Sequence, residues 1–183
     1  MDRIRYALGV LAIVVYGPGL LFWFLIHPLA PLWRRLRFVS AYIIVFSILV
    51  LIGVMVFQVR GLLLGRDLGT NWSLIAVGAF LFGILAWFGL AYGQHMNHLS
   101  LATRMGVPEL SRTERTQTLV RDGIYGMVRH PIYSTAVLAG TAYALIVDYV
   151  GVYVLFLAAI PVFYAIIVLE ERELSDRFGA TYR

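Results

Sequence analysis

The side chains best suited to chemistry lie in one short stretch, residues 119–134, between two long apolar regions. This stretch combines ionisable groups with glycines and tyrosines, namely Arg121, Asp122, Gly123, Tyr125, Gly126, Arg129, His130 and Tyr133. Glycine lets the backbone approach a ligand closely, whereas Pro131 suits the first turn of a helix and disfavours helix just before it. The sequence therefore predicts an irregular connector that ends at His130 and a helix that begins at Pro131. A polar ligand site at a membrane surface is favoured over an ordinary solvated loop.

A pair of acidic residues, Glu170 and Glu171, closes the last apolar run of the chain. Carboxylates that adjoin an apolar helix are costly to dehydrate, so they usually mark a functional site or a partner. Glu170, Leu174, Phe178 and Tyr182 recur every four residues, which places them on one stripe of a helix. Because most of that stripe is apolar, Glu170 should point inward. We expect at least one of the two carboxylates to meet Arg129 or a bound ammonium group; the alternative is an acidic helix end in water.

The segment Arg129-His130-Pro131-Ile132-Tyr133, with Gly123 and Tyr125 ahead of it, resembles the integral-membrane methyltransferases. These comprise the isoprenylcysteine carboxyl methyltransferases and the phospholipid N-methyltransferases. Their second signature, two glutamates followed by Leu, Phe-Gly and Tyr, is similar to residues 170–182. The resemblance covers roughly the last third of the chain, and the N-terminal half is similar to the family only in hydropathy.

The resemblance implies binding of S-adenosylmethionine and methyl transfer to a lipophilic acceptor. The implied acceptors are an isoprenylcysteine-like carboxylate, an amino phospholipid or a small apolar thiol. It also implies Glu171 and Arg129 as catalytic residues, whereas Tyr125 and Tyr133 could instead belong to the aromatic belt at headgroup depth. The implied cofactor-binding residues are Leu119, Val120, Gly123, Tyr125, His130, Pro131, Tyr133, Glu170 and Glu171.

Two other functions are compatible with the same features. An NADPH-dependent membrane reductase of the sterol-reductase type has a similar C-terminal half, although such chains are about twice as long. A non-catalytic membrane protein could retain the same fold. His95 and His98 have a spacing that could ligate a metal, but no acidic or sulfur ligand adjoins them and the chain has no cysteine. We therefore expect no metal.

The composition indicates an integral membrane protein, because 61% of the 183 residues are hydrophobic and 14% are charged, against about a quarter in soluble domains. We predict an all-α fold of about five transmembrane helices, a connector and a short C-terminal amphipathic helix. We treat residues 1–93 (three spans) and 94–183 as two parts of one structural domain. Gly17-Pro18-Gly19 should kink the first span, Pro161 should bend the fifth, and Asp148 should form a hairpin tip. The apolar runs are Tyr6–Ile26, Phe38–Val59, Leu74–Tyr92, Ile132–Val147 and Tyr149–Leu169.

The arginines predict the orientation of these spans. With five spans, the N-terminus and the loops at 60–73 and 148 share one side and carry Arg3, Arg5, Arg60 and Arg66; the other eleven of the fifteen basic residues lie opposite. We expect a multi-pass protein of a prokaryotic cell membrane, with its N-terminus outside and its site facing the cytosol. The net charge of +5 suits anionic lipid, and lipid is a better partner than nucleic acid here. We expect the acceptor to enter sideways from the bilayer, where the Pro131 helix and the third span flank the connector.

Overall fold

The computed structural model describes residues 1–26, 29–33, 35–36, 38–95 and 128–179. These residues form helices joined by short segments, and the only pairing between extended residues among them is an isolated bridge between Asp67 and Tyr149. In chain order the helices are α1 (Asp2–Leu11), a π-helix (Ala12–Tyr16), α2 (Gly17–Gly19), α3 (Phe22–Ile26), α4 (Ala30–Trp33), α5 (Phe38–Gln58), α6 (Arg60–Leu64), α7 (Trp72–His95), α8 (Pro131–Val147) and α9 (Val150–Phe178).

Within the described residues, four helical segments are long and apolar enough to cross a membrane: Asp2–Ile26, Val39–Gln58, Trp72–Gly89 and Val150–Asp176. The fifth apolar helix, α8, has 17 residues and is about 26 Å long, slightly less than the hydrocarbon thickness of a bilayer. The predicted all-α membrane fold is therefore confirmed. The protein is a multi-pass membrane protein by these lengths and by its composition.

The first span is irregular at the predicted place. Pro18 has no N–H to donate to the Val14 carbonyl in an α-helix, and a π-helix occupies Ala12–Tyr16 immediately before Gly17. A turn at Leu20 and Leu21 then separates α2 from α3. Regular α-helix is therefore interrupted on both sides of Gly17-Pro18-Gly19, and the predicted kink of the span stays a prediction.

The last two helices form the predicted hairpin with its tip at Asp148. This residue adopts the left-handed conformation, with φ 55° and ψ 48°, which Asp tolerates better than most residues. Helix α9 then runs through Pro161 to Phe178 without interruption. The predicted short C-terminal helix is consequently not a separate element but the end of α9, because Glu, Arg and Leu favour helix and no Gly or Pro separates Leu169 from Phe178.

A buried arginine ties three segments together at one end of the bundle. Arg5 is 1% exposed and donates hydrogen bonds to Oδ1 of Asp67 (2.6 Å), to Oγ1 of Thr70 (3.1 Å) and to the carbonyls of Val147 (3.0 Å) and Asp148 (3.2 Å). We call Arg5 and these partners the Arg5 cluster. It places the N-terminus, the segment after α6 and the hairpin tip together, as the five-span arrangement requires.

The Asp67 carboxylate is held ionised by this cluster. Burial raises its pKa, but hydrogen bonds from the backbone N–H of Gly69 and from Arg5 outweigh that effect. The net result is a pKa below the ordinary value of 3.8. The guanidinium thus has a charged partner at the membrane end, which a buried cation requires.

Helices α7 and α8 pack with their backbones in close contact. A Cβ atom on Gly78 would lie 2.6 Å from the carbonyl oxygen of Ala142 and 2.7 Å from the Ile146 side chain. Small residues permit such close approach between membrane helices, where packing rather than the hydrophobic effect drives association. No room for a ligand chain therefore exists at this contact.

Candidate active site

The two glutamates lie at the end of the bundle opposite to the Arg5 cluster. From Val150 to Glu170 the helix α9 advances about 30 Å, which equals the hydrocarbon thickness of a typical bilayer. Since α8 and α9 form a hairpin, the first turn of α8 lies at the same end as Glu170 and Glu171. The hairpin therefore brings both predicted motifs together at the depth of a membrane boundary.

The start of α8 positions the histidine. Pro131 is buried at the first helical position, and His130 before it has φ −126° and ψ 66°, outside the helical region that a following proline disfavours. The His130 side chain makes no capping hydrogen bond to α8. Its imidazole instead faces α9.

The imidazole of His130 lies between two carboxylates. Its Nε2 is 2.7 Å from Oε1 of Glu171, a hydrogen bond, and its Nδ1 is 3.6 Å from Oε2 of Glu170, too long for a direct one. The His130 side chain is 16% exposed, so the group is sheltered but reachable. When Glu171 is ionised, the hydrogen bond requires a proton on Nε2.

Tyr133 supports the second carboxylate from the first turn of α8. Its hydroxyl donates a short hydrogen bond to Oε1 of Glu170, and its ring packs 5.6 Å from that of Phe163 between centroids. The residue is 7% exposed and belongs to a core cluster with Ala159 and Ile166. Tyr133 is therefore a buried wall of the site and not a member of the aromatic belt.

Arg129 lies at the outer edge of the site. Its guanidinium Nη1 is 3.8 Å from Oε2 of Glu171, and its side chain is 67% exposed. The expected meeting of Arg129 with one of the carboxylates is confirmed. An exposed pair of this kind contributes little to stability, so its charge is of more use to an anionic ligand group.

Other residues of the predicted site lie outside the part of the chain that the structure describes. They are Leu119, Val120, Gly123 and Tyr125, together with Tyr182 of the helical stripe. His98 and the His95 side chain also lie outside it. The predicted roles of these residues stay predictions.

The sequence interpretation missed the apolar residues that hold Tyr133 and Glu170 in place. Phe163 and Ile166 belong to the same cluster as Tyr133 and precede Glu170 by seven and four positions. The helical stripe that runs from Glu170 towards the C-terminus also extends towards the N-terminus through Ile166 and Phe163. Its periodicity is the signal that would have identified these two residues.

Comparison with protein families gives a match that covers this site. Residues 72–181 match the family described as phospholipid methyltransferase, and the range includes α7, α8, α9 and every described site residue. This is well over half of the chain. The chain belongs to the phospholipid methyltransferase family. Comparisons with curated proteins and with solved structures find no match.

Membership of the phospholipid methyltransferase family confirms the resemblance to the integral-membrane methyltransferases. It supports a membrane methyltransferase and favours this class over the reductase interpretation. The two motifs that carry the resemblance meet at His130, whose ring contacts the helix that carries both glutamates.

Proposed function

We propose that this protein is an S-adenosylmethionine-dependent methyltransferase whose acceptor is the amine of an amino phospholipid. The observation that carries the proposal is the His130 imidazole held between Glu170 and Glu171 at the depth of a membrane boundary. Family membership supports the reaction class. The charge of the site supports the kind of acceptor.

The side chains of the site fit the charged groups of S-adenosylmethionine. Glu170 and Glu171 offer carboxylate oxygens to its ammonium and its positively charged sulfur, and the exposed Arg129 offers a guanidinium to its carboxylate. When bound, S-adenosylmethionine supplies a methyl group that leaves sulfur with the C–S bond electrons remaining on sulfur. The side chains of the protein have to bind and orient both substrates and to accept the proton that the acceptor loses.

The charge of the site suits an amine acceptor. The described site carries the carboxylates of Glu170 and Glu171 and the guanidinium of Arg129. The two carboxylates attract the ammonium form in which an amine headgroup arrives. Lateral access from the bilayer suits a phospholipid, because the site lies where its headgroup lies.

An amine acceptor arrives as an ammonium ion and has to lose a proton before its nitrogen can bond to the methyl carbon. His130 is placed to accept that proton. With Nε2–H donated to Glu171, the lone pair on Nδ1 is available, and Oε2 of Glu170 at 3.6 Å stabilises the imidazolium that forms. Glu171 and Glu170 thus orient the base and compensate its charge, as carboxylates do for other catalytic histidines.

The orientation in the membrane is part of the proposal. Eleven of the fifteen arginines belong to the side that carries the site, and positively charged residues favour the cytosolic side. We therefore place the site in the cytosol and the Arg5 cluster at the opposite surface.

Methyl transfer is tested with purified protein in nanodiscs. Discs of phosphatidylglycerol with or without phosphatidylethanolamine receive S-adenosylmethionine labelled in its methyl group, and lipid and protein are then separated. We expect label in the ethanolamine lipid alone, and loss of the transfer in His130→Ala. Transfer to a prenylated cysteine carboxylate in place of the amine would overturn the acceptor assignment. Binding of NADPH without binding of S-adenosylmethionine would overturn the reaction class.

A further inference from the structure

A membrane-facing cleft runs between α8 and α9. It has a volume of about 150 Å³ and a mainly apolar lining, which also includes the hydroxyl-bearing side chains of Tyr16 from the first span, Thr141 and Tyr153. Buried residues, among them Ala144 and Ala159, form its floor, while Val137, Leu157 and Ile160 form an exposed rim. In the bilayer this rim faces lipid, so the cleft is open to hydrocarbon chains.

One layer of aromatic side chains separates the cleft from the candidate active site. Phe163 lines the cleft and packs against Tyr133, whose hydroxyl is bonded to Glu170. Along α9, Phe163 lies about 10 Å below Glu170, and Tyr153 at the other end of the cleft lies about 25 Å below it. The cleft therefore starts one layer of side chains beneath the carboxylates and continues into the membrane.

We infer that this cleft binds one acyl chain of a glycerophospholipid acceptor; the inference rests on the proposed function of the site above it. In an ethanolamine glycerophospholipid about ten bonds separate the amine nitrogen from the first methylene of the chain, roughly 11 Å when extended. An amine held at His130 thus places the beginning of its acyl chain at the depth of Phe163, where the cleft begins. A prenylated cysteine has only about five such bonds and would start its chain above the cleft.

The cleft differs in position from the predicted route of entry. The sequence placed the acceptor between the Pro131 helix and the third span, which are α8 and α7. Those helices are in backbone contact at Gly78 and Ala142. The cleft lies on the opposite side of α8, where Ala136 and Ala159 leave space that larger side chains would fill.

The test maps chain contacts without relying on turnover. A phosphatidylethanolamine with a diazirine in the middle of one acyl chain is incorporated into nanodiscs with the full-length protein, irradiated, and the labelled residues are identified by mass spectrometry. We expect label on the cleft residues of α8 and α9. Excluding one methylene reduces affinity about fourfold, so Ala136→Phe should lower the cleft label by about fourfold or more.

Two further variants keep this result interpretable. Val137→Phe narrows the cleft from its exposed rim, so it reduces the label even if Ala136→Phe does not fold. Ala79→Phe adds the same side chain to an exposed position of α7 and should leave the cleft label unchanged. Label spread evenly over all lipid-facing helices, unchanged by either cleft variant, would overturn the inference.

The measurement also separates this inference from the proposed function. Cleft labelling without methyl transfer to any lipid would refute the reaction and retain the chain site. Methyl transfer to phosphatidylethanolamine without cleft labelling would retain the reaction and refute the chain site.

Discussion

His130 and Glu171 are 41 positions apart in the chain, yet Nε2 of the first lies 2.7 Å from Oε1 of the second. The α8–α9 hairpin produces this contact, because both helices lead from the Asp148 tip to the same end of the bundle. A pair of packed helices fixes the position of the His130 ring more firmly than a loop would. The contact is therefore the part of the site whose removal is most informative.

We expect His130→Ala and Glu171→Gln each to weaken binding of S-adenosylmethionine by about tenfold, or about 1.4 kcal/mol. The double variant should lose less than the two together, because residues in direct contact are not independent. Isothermal calorimetry in detergent measures all three affinities. Asp176→Asn, an exposed change further along α9, is the matched control. Single-variant affinities within about threefold of the unchanged protein would contradict the assigned roles.

Tyr133→Phe removes the hydroxyl that bonds Glu170 and keeps the ring that packs on Phe163. A hydrogen bond to a charged group contributes about 1.5–3 kcal/mol to stability, so we expect the free energy of unfolding to fall by about that amount. Methyl transfer should fall as well, because Glu170 is then held less firmly. Tyr164→Phe makes the same chemical change at a side chain on α9 that is 69% exposed. Equal losses in both variants would show that Tyr133 has no special part in the site.

Arg5→Met should lower the stability of the protein by about 1–3 kcal/mol, because it leaves the buried carbonyls of Val147 and Asp148 without their donor. Thermal unfolding in detergent measures the effect. Arg3→Met, two residues away and exposed, should change stability by less than about 0.5 kcal/mol. Similar unfolding temperatures for the two variants would mean that the Arg5 cluster does not stabilise the fold.

The depressed pKa of Asp67 predicts a loss of stability in acid. A folded-state pKa below the unfolded one means that the ionised carboxylate stabilises the folded protein. That contribution is complete above the ordinary value of 3.8 and is lost as the pH falls through the lower folded-state pKa. Unfolding temperatures recorded across this range should fall less steeply in Asp67→Asn, whose side chain does not titrate. If the unfolding temperatures of the two proteins fell equally steeply with pH, Asp67 would not be the cause of the loss of stability in acid.

The contact between α7 and α8 is tested by making the same change, glycine to alanine, at two positions of α7: Gly78→Ala and Gly83→Ala. The added Cβ at Gly78 meets the backbone oxygen of Ala142 at 2.6 Å, whereas at Gly83 no described atom outside its own stretch of helix lies within 4 Å. We expect Gly78→Ala to destabilise the protein by about 1–3 kcal/mol and Gly83→Ala to be neutral or slightly stabilising. Thermal unfolding of both variants measures this difference in stability. If Gly83→Ala were the less stable variant, the close contact between α7 and α8 would be contradicted.

Hydropathy and turn chemistry were sufficient to predict most of the fold. Spans of about 20 apolar residues, the irregularity at Gly17-Pro18-Gly19 and the hairpin tip at Asp148 all follow from local rules of helix formation. The site's convergence was predictable because His130 and Glu171 belong to two motifs that flank one hairpin. The sequence did not predict which of the two carboxylates contacts which nitrogen of the His130 ring, because either combination was possible.

Features that depend on contacts between distant segments were not predictable in this way. Arg5 reads in the sequence as one of two arginines before a span, and only packing shows that it is buried against Val147 and Asp148. The cleft between α8 and α9 likewise depends on which faces of the two helices meet. A helix that is apolar on every side carries no pattern that specifies which of its faces packs against a neighbour.

The Arg5 cluster also has a consequence for how the protein is made. Its charged partner Asp67 is synthesised 62 residues after Arg5, whereas the carbonyls of Val147 and Asp148 follow 142 and 143 residues after it. The ion pair with Asp67 can therefore form before the α8–α9 hairpin exists. The two carbonyl acceptors become available only with that hairpin, so the Arg5 cluster is completed late in biogenesis.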